Sequence, residues 1–404
     1  MDILYIVPYV PNRIRVRPFQ LIRALKQLGH RVTLFTLWAD DRERGDLAAL
    51  RDNCHDVIAL PMPRWQSFWN CLMALPGKAP LQAVYSWNPK LVHQIDSALE
   101  SNPAGKFDVV HVEHLRGVHY GLNIKSRYPK IPVVWDSVDC ISYLFAQASG
   151  QSRSIFSRLI TQLDLGRTRN YEGNLSGNFD RVLITSPVDR QALLDLVPHK
   201  SKKPIISVIP NGVDLDYYSP GELFERKGAI VVFSGKMSYH ANVTMALYLA
   251  NEVMPYVWEE CPEARLIIAG KDPPGNIRAL GQNPAITITG TVDDIRPYLR
   301  SANVSAVPLI YGAGLQNKVL EAMACGTPVV ATPGAVSALQ IQAGRDVLVA
   351  QDVKDFARNI LDLIEDPAYQ QQVGEAGRQF VEKHHQWGII GRKLEGIYHE
   401  VISR

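Results

Sequence analysis

The stretch Tyr311–Thr332, YGAGLQNKVLEAMACGTPVVAT, gathers residue types that hold phosphate and sugar hydroxyls. It opens on Gly312-Ala313-Gly314. A helical run from Leu315 to Ala324 follows, stopped by Gly326 and Pro328 ahead of the strand-like Val329-Val330-Ala331. Gly314, Asn317, Lys318 and Glu321 stand at spacings that place them on one helix face. Leu315, Val319, Ala322 and Met323 line the other face and should pack on a sheet. A glycine loop feeding a helix N-terminus offers free backbone N–H groups and the positive end of the helix dipole, which suits a phosphate. Lys318 adds a cation one turn in, and the Glu321 carboxylate has the reach for ribose hydroxyls. Lys318 and Glu321 also read as an ordinary surface pair on an α/β helix.

The elements that must position these residues read as repeated strand–helix–strand units. Ile3–Val7 is an apolar strand ended by Pro8 and Pro11, Phe19–Leu28 is helical, Gly29 ends it, and Val32–Leu37 is the next strand. That is a βαβ unit and implies a parallel sheet. Phe107–Val112, FDVVHV, has a buried-strand pattern and delivers His111, Glu113 and His114 to a loop at its carboxyl end, where open α/β sheets bind ligands. Either histidine also reads as a structural one. Val133–Asp136 puts Asp136 and Asp139 on the same rim, to hold acceptor hydroxyls or to cap the helix starting near Ile141. Arg181–Thr185 and Ile205–Ile209 are further strands. The pattern restarts with strand Ile230–Phe233, which leads to Gly235-Lys236 and a helix from Asn242 to Met254. Strands Leu266–Ala269 and Ile286–Thr289, the turn Gly290-Thr291-Val292, a helix Asp293–Ala302 and strand Val304–Pro308 complete it, with helices from Asp352 onward. Two such halves imply an α/β fold of two Rossmann-like doubly wound domains.

Size and charge agree with this. The 404 residues suffice for two domains, 46% are hydrophobic and 21% charged, and a net charge of +3 is too small to argue for nucleic acid. The five cysteines (Cys54, Cys71, Cys140, Cys261, Cys325) form no C-x-x-C pair, which argues against zinc and for a reducing, cytoplasmic setting. No apolar run approaches the ~20 residues of a membrane span, and MDILYIVPYV reads as a strand rather than a signal peptide. The segment 151–172 is basic and helix-prone, with Arg153, Arg158, Arg167 and Arg169 on a solvated face. Trp65, Phe68, Trp69, Leu72 and Met73, beside Arg64, form one helical stripe. It reads as a core face, or as a surface for the cytoplasmic face of a membrane or a lipid-linked acceptor.

The run KVLEAMACGTPVVAT resembles the donor-site segment of glycosyltransferase family 4, ALKQLGHRVTLFT resembles the start of many of its members, and IPNGVDLDYYSP resembles its hinge signature. The resemblance implies the GT-B fold, two Rossmann-like domains facing a central cleft. The expected domains are 1–215 on the acceptor side and 216–385 on the donor side, with a C-terminal helix in 386–404 crossing back. The linker is the run from Gly221 to Gly228.

The resemblance further implies transfer of a sugar from a nucleotide diphosphate sugar to a saccharide, lipid-linked or small-molecule acceptor. Transfer would retain anomeric configuration, by front-face attack assisted by the leaving phosphate, with the nucleotide sugar as co-substrate and no metal or other cofactor. On this reading Lys236 takes the place of the family's diphosphate-binding arginine, and Gly290-Thr291-Val292 lies against the base. Gly235, Gly314, Leu315, Asn317 and Glu321 complete the donor side. A family histidine near the donor sugar falls on His111 or His114, which join Lys236 and Lys318 as catalytic candidates. The loop Asn12-Arg13-Ile14-Arg15, with Arg17 after it, stands where the family has paired glycines. It either meets phosphate or an anionic acceptor, or is a solvated basic loop. Asn12, Arg13, Glu113 and Asp136 are the acceptor-side candidates. Two family features are missing, since the first glutamate of the donor motif falls on Ala313 and a second cation falls on Ala241. These losses keep open a nucleotide-sugar epimerase or a non-catalytic nucleotide-sugar-binding protein.

Overall fold

The structure is a computed structural model. It describes all residues except 13–14, 101–106, 150–154, 222–225, 227, 238 and 312–314, and of 148–149 and 155–163 it describes only the backbone. Arg13, Arg153, Gly312, Ala313 and Gly314, the side chain of Arg158 and part of the linker therefore lie outside the described residues.

The chain forms two compact units, Met1–Pro210 with Trp387–Arg404, and Asn211–Gln386. The hinge run from Asn211 to Leu215 thus belongs to the second unit rather than the first, because Val213 donates its N–H to the His385 carbonyl and pairs with Gln386.

In the first unit seven strands form one sheet: β1 Asp2–Val7, β2 Arg31–Trp38, β3 Asp56–Pro61, β4 Val109–Glu113, β5 Val133–Val138, β6 Arg181–Ile184 and β7 Ile206–Val208. Their order is β3-β2-β1-β4-β5-β6-β7 and every pairing is parallel. The central strands are buried throughout, which is why Ile3–Val7 and Val109–Val112 read as continuous apolar runs. The order reverses between β1 and β4, so the ligand crevice is expected beyond their carboxyl ends. The helix Val16–Gln27 is followed by Gly29 at φ +84°, a left-handed position that glycine adopts without strain. Helix Trp387–Ile402 packs against it, and Gly391 leaves room for Ala24, whose methyl would stand 2.7 Å from an added Cβ.

The second unit holds β8 Ile230–Ser234, β9 Arg265–Ala269, β10 Ile286–Gly290, β11 Val304–Val307, β12 Val329–Ala331 and β13 Leu348–Val349. The order is β10-β9-β8-β11-β12-β13, again all parallel, with its reversal between β8 and β11.

Several boundaries differ from expectation for local reasons. The helix expected from Leu315 starts at Asn317, so Leu315 precedes it, half-buried against the core, while Val319, Ala322 and Met323 are buried as expected. The helix expected from Asn242 to Met254 is His240–Tyr248, then a π turn Leu249–Val253, then Met254–Glu260. Pro255 supplies no N–H to the helix, and the widened turn sits just before it. The helix Arg64–Ala74 does not use its aromatic stripe as a core face, since Trp65, Phe68, Trp69, Leu72 and Met73 are all exposed. Among the described residues no helix is long and apolar enough to cross a membrane.

Candidate functional site

In the first unit β4 runs from Glu113 straight into the helix His114–Arg127, with no loop between them. The turn is made at one residue, His114, held at φ +64°, an uncommon conformation for a side-chain-bearing residue and one that clusters at functional sites. Glu113 is buried, taking hydrogen bonds from the Tyr9 hydroxyl at 2.8 Å and the Tyr5 hydroxyl at 3.4 Å. Burial, and then the nearby charge of Asp136, push its pKa well above the ordinary carboxylate range, so the carboxyl holds its proton near neutrality.

Asp136, at the matching level of β5, is buried and paired with Arg17, whose Nε donates at 2.9 Å and whose Nη2 lies at 2.8 Å. Arg17 also donates to the Ile209 carbonyl at 3.0 Å. Of the loop's basic residues that the structure describes, both are engaged by the protein. Arg17 is consumed by Asp136, Arg15 pairs with Glu43 at 2.7 Å and lies over the Tyr9 ring, and Asn12 ties Asp46 to the Arg15 N–H.

The two histidines separate clearly. His111 sits within β4, fully buried, stacked on Tyr5 with ring centroids 4.1 Å apart and sharing a 2.7 Å hydrogen bond with the Tyr398 hydroxyl. It does not reach the rim as expected, because side chains alternate along a strand and position 111 faces the Trp387–Ile402 helix. Burial lowers its pKa to about 4, so the ring is neutral. His114 is half-buried at the rim, edge-on to Tyr9, and its Nδ1 accepts from the Arg116 N–H at 3.3 Å. Burial, helped by Arg116, lowers its pKa to about 3. A neutral imidazole there can exchange hydrogen bonds but carries no charge. Asp139 does not cap the helix Ile141–Ser149, which is capped instead by the buried Glu172, accepting from the Ile141 and Ser142 N–H groups at 2.9 and 3.0 Å.

In the second unit the switch point is built around Gly235, at the end of β8. An added Cβ there would stand 2.8 Å from Asn242 Nδ2 and 3.0 Å from Lys318 Nζ, so glycine lets two polar side chains close over the backbone. Its neighbour Gly270, ending β9, has no room for a side chain either, as a Cβ would fall 1.8 Å from the Gly235 carbonyl oxygen. Lys318 Nζ donates to Asn242 Oδ1 at 2.7 Å and lies 4.2 Å from the centroid of the Phe233 ring. Burial lowers its pKa to about 7, against the opposing pull of Glu321. Glu321, one turn on, is raised by burial, with Lys318 and a hydrogen bond to Tyr218 working the other way.

Lys236 is exposed, its carbonyl accepting from Asn242 Nδ2 at 2.8 Å. Asn317 is exposed at the helix start and accepts from Asn211 Nδ2 at 3.2 Å. Gly290 closes β10 at φ +69° with open space around its Cα, and Val292 follows, half-buried. Ala241 is buried, so the position of the missing cation faces the core. Tyr311 hydrogen-bonds the His240 ring and lies 3.2 Å from Thr244 Oγ1, tying the end of the β11 segment to the helix after Lys236.

Sequence reasoning missed Asn242, Tyr9 and Tyr218. Asn242 is next to Ala241, and an amide one residue beyond a lost cation was the available signal. The tyrosines bind through hydroxyls that no spacing rule reveals.

Two all-parallel doubly wound units, each with its polar residues at the carboxyl end of the reversal strands, define the GT-B fold. Solved structures agree over nearly the whole chain. Sucrose-phosphate synthase from Thermosynechococcus elongatus superposes with a TM-score of 0.70 at 19% identity, over 100% of this chain and 99% of that one. Anabaena HepE, solved with UDP and glucose, gives 0.66 at 16% identity, over 99% and 100%. Residues 16–217 match the model described as Glycosyltransferase Family 4, and residues 228–366 match that for glycosyl transferases group 1. The chain belongs to glycosyltransferase family 4.

Among similar curated proteins, the phosphatidyl-myo-inositol mannosyltransferase of Mycobacterium leprae is 28% identical over 204 residues, 48% of this chain and 54% of that protein. The GDP-mannose-dependent monoacylated alpha-(1-6)-phosphatidylinositol monomannoside mannosyltransferase of Corynebacterium glutamicum is 30% identical over 158 residues, 36% and 42% of the two chains. The chain spans about half the length of the curated relatives it matches.

Proposed function

We propose that the protein is a glycosyltransferase that moves a hexose-type sugar from a nucleotide diphosphate sugar to a saccharide or lipid-linked acceptor, with retention of anomeric configuration. The observation that carries this reading is the end of β8, where Gly235 leaves the backbone bare beneath Lys318 and Asn242, next to the exposed Lys236. In this reading the diphosphate lies on that backbone. Lys318 and Lys236 oppose the charge that grows on the leaving phosphate, which is electrostatic stabilisation of the transition state and assigns no metal. Glu321 takes ribose hydroxyls and the Gly290–Val292 turn faces the base. The acceptor hydroxyl attacks on the face from which the nucleotide departs and passes its proton to the leaving phosphate. The first unit serves the acceptor, with His114 and Tyr9 above Glu113 and Asp136. Free thiols at all five cysteines support a cytoplasmic setting. The buried Ala241, lacking the family's cation, favours as a second reading a protein that binds the nucleotide sugar without turnover.

The test is a thermal-shift screen of UDP, GDP, ADP and dTDP, followed by turnover with sugars of the nucleotide that binds. UDP enters because Anabaena HepE was solved with it, and GDP because one relative is named as GDP-mannose-dependent. A ligand held by the native state at a hundredfold over its Kd adds about 2.7 kcal/mol. Transfer with the donor's anomeric configuration preserved is the expected outcome. An inverted product removes the retaining mechanism, isomerisation of the sugar selects an epimerase, and binding without turnover selects the second reading.

A further inference from the structure

We infer that the helix Arg64–Ala74 is a docking surface for a lipid bilayer bearing anionic headgroups. The inference deepens the proposed transfer by giving its acceptor a lipid surface, and to that extent rests on it.

This helix is built inside out. Its inward face is small and polar. Ser67 is buried, Asn70 Nδ2 donates to the Val84 and Trp87 carbonyls at 3.2 and 2.8 Å, and Cys71 Sγ points at the Leu81 carbonyl at 3.8 Å. Arg167 secures the helix end through the Leu75 carbonyl at 2.6 Å. The outward face carries Trp65 and Phe68, each 64% exposed, Trp69 at 53%, Leu72 at 39%, Met73 at 77% and Leu75 at 50%. A helix that packs on its own core places such residues inward. Single exposed apolar side chains are ordinary, but six from one short segment form a patch that marks an interaction surface.

Charge selects the occupant. Between Asp56 and Asp96 the sequence holds no acidic residue and has three basic ones, Arg64, Lys78 and Lys90, all exposed. The whole chain has a net charge of only +3. Tryptophan and phenylalanine flanked by cations, in a run of sequence without acidic residues and with the nearby Asp164 carboxylate buried on the Leu81 N–H, match the boundary between headgroups and acyl chains, where aromatic rings settle and basic side chains meet anionic lipid. At 11 residues the helix is far too short to span a bilayer, so it lies in the plane of the interface.

The test uses the full chain in flotation with vesicles of phosphatidylcholine alone or mixed with phosphatidylglycerol, beside melting curves and light scattering. The wild type is expected to float with the anionic vesicles and to detach progressively as salt rises. Trp65→Ser with Trp69→Ser should melt as the wild type does and lower the bound fraction roughly tenfold or more. Arg64→Glu and Lys78→Glu should each lower it about fivefold. The proposal is overturned if the wild type never floats, if the double tryptophan variant melts sharply lower because those rings are core, or if the stripe proves to join two copies of the chain in solution without binding vesicles. A nucleotide thermal shift on the same samples separates the two readings. Loss of flotation with an intact shift defeats docking alone, and an absent shift with intact flotation defeats the transfer reading alone.

Discussion

The two switch points solve opposite problems with the same topology. At the ends of β1, β4 and β5 the polar groups are held by the protein itself: Arg17 pairs with Asp136, two tyrosine hydroxyls donate to the protonated Glu113, and the neutral His111 stacks on Tyr5 and shares a hydrogen bond with Tyr398. At the end of β8, Lys318 meets, among the described residues, the Asn242 amide and the Phe233 ring with a half-buried carboxylate one turn away, while Lys236 stands in solvent. The buried Arg17–Asp136 pair makes a rigid floor, because breaking it strands a buried charge. A lysine whose pKa burial lowers, beside bare backbone, is one whose proton an anion would draw back, which is the role proposed for a diphosphate. Polar residues at a sheet's carboxyl end are therefore not all of one kind. What sorts them is whether their partners already belong to the protein.

The largest way to break this contrast is Arg17→Met, which leaves Asp136 buried and unpaired. Unfolding of the first unit should lose about 3–5 kcal/mol, while calorimetry shows nucleotide binding persisting at temperatures where the fold survives. Next comes Glu321→Ala, expected to weaken nucleotide binding by roughly 1.5–3 kcal/mol in calorimetry with the first unit's stability untouched. Unchanged affinity in the folded variant removes Glu321 from the site.

The third test uses pH. Lys318, at about 7 in the empty site, titrates below its unfolded value. The folded state therefore holds fewer protons than the unfolded chain above pH 7, and this group's contribution to stability rises with pH across that window. Diphosphate should draw the proton back, so nucleotide affinity falls by up to about tenfold per pH unit above 7. Binding should then take up a proton, visible as heats that differ between buffers, and Lys318→Met should abolish both effects.

The smallest effect belongs to Glu113→Gln. The folded state keeps a proton that the unfolded chain releases near pH 4, so stability from this group is full at low pH and declines as pH rises toward the raised folded value. The glutamine variant should flatten that decline and gain about 1 kcal/mol at alkaline pH in denaturant melts. A variant as pH-dependent as the wild type removes Glu113 as its source.

Much of this was legible because parallel strands and glycine stops leave strong local signatures. Ile3–Val7, Val329–Ala331 and Gly326 follow from burial on both faces and from a left-handed position at φ +70°. What escaped is what depends on long-range pairing. Nothing near Arg17 announces Asp136, 119 residues away, and nothing near His111 announces Tyr398. Periodicity also gave the stripe from Trp65 to Met73 a face without a direction. Direction came from the opposite face, where Ser67 is buried and Asn70 and Cys71 find hydrogen-bond partners in the protein, which turns the aromatics outward.

The hydrogen bond between His111 and Tyr398 joins residues 287 positions apart, across the whole of the second unit. The second unit is one uninterrupted segment, whereas the first is completed only when Trp387–Ile402 seats on it. The second unit can therefore close its core from one stretch of chain, whereas the first must wait for residues from both ends. Until then the face that Ile390, Leu394 and Tyr398 later cover stays open, and His111 lacks its hydroxyl partner. Without that helix the first unit is left with an open apolar face, while the second unit has every strand and helix it needs.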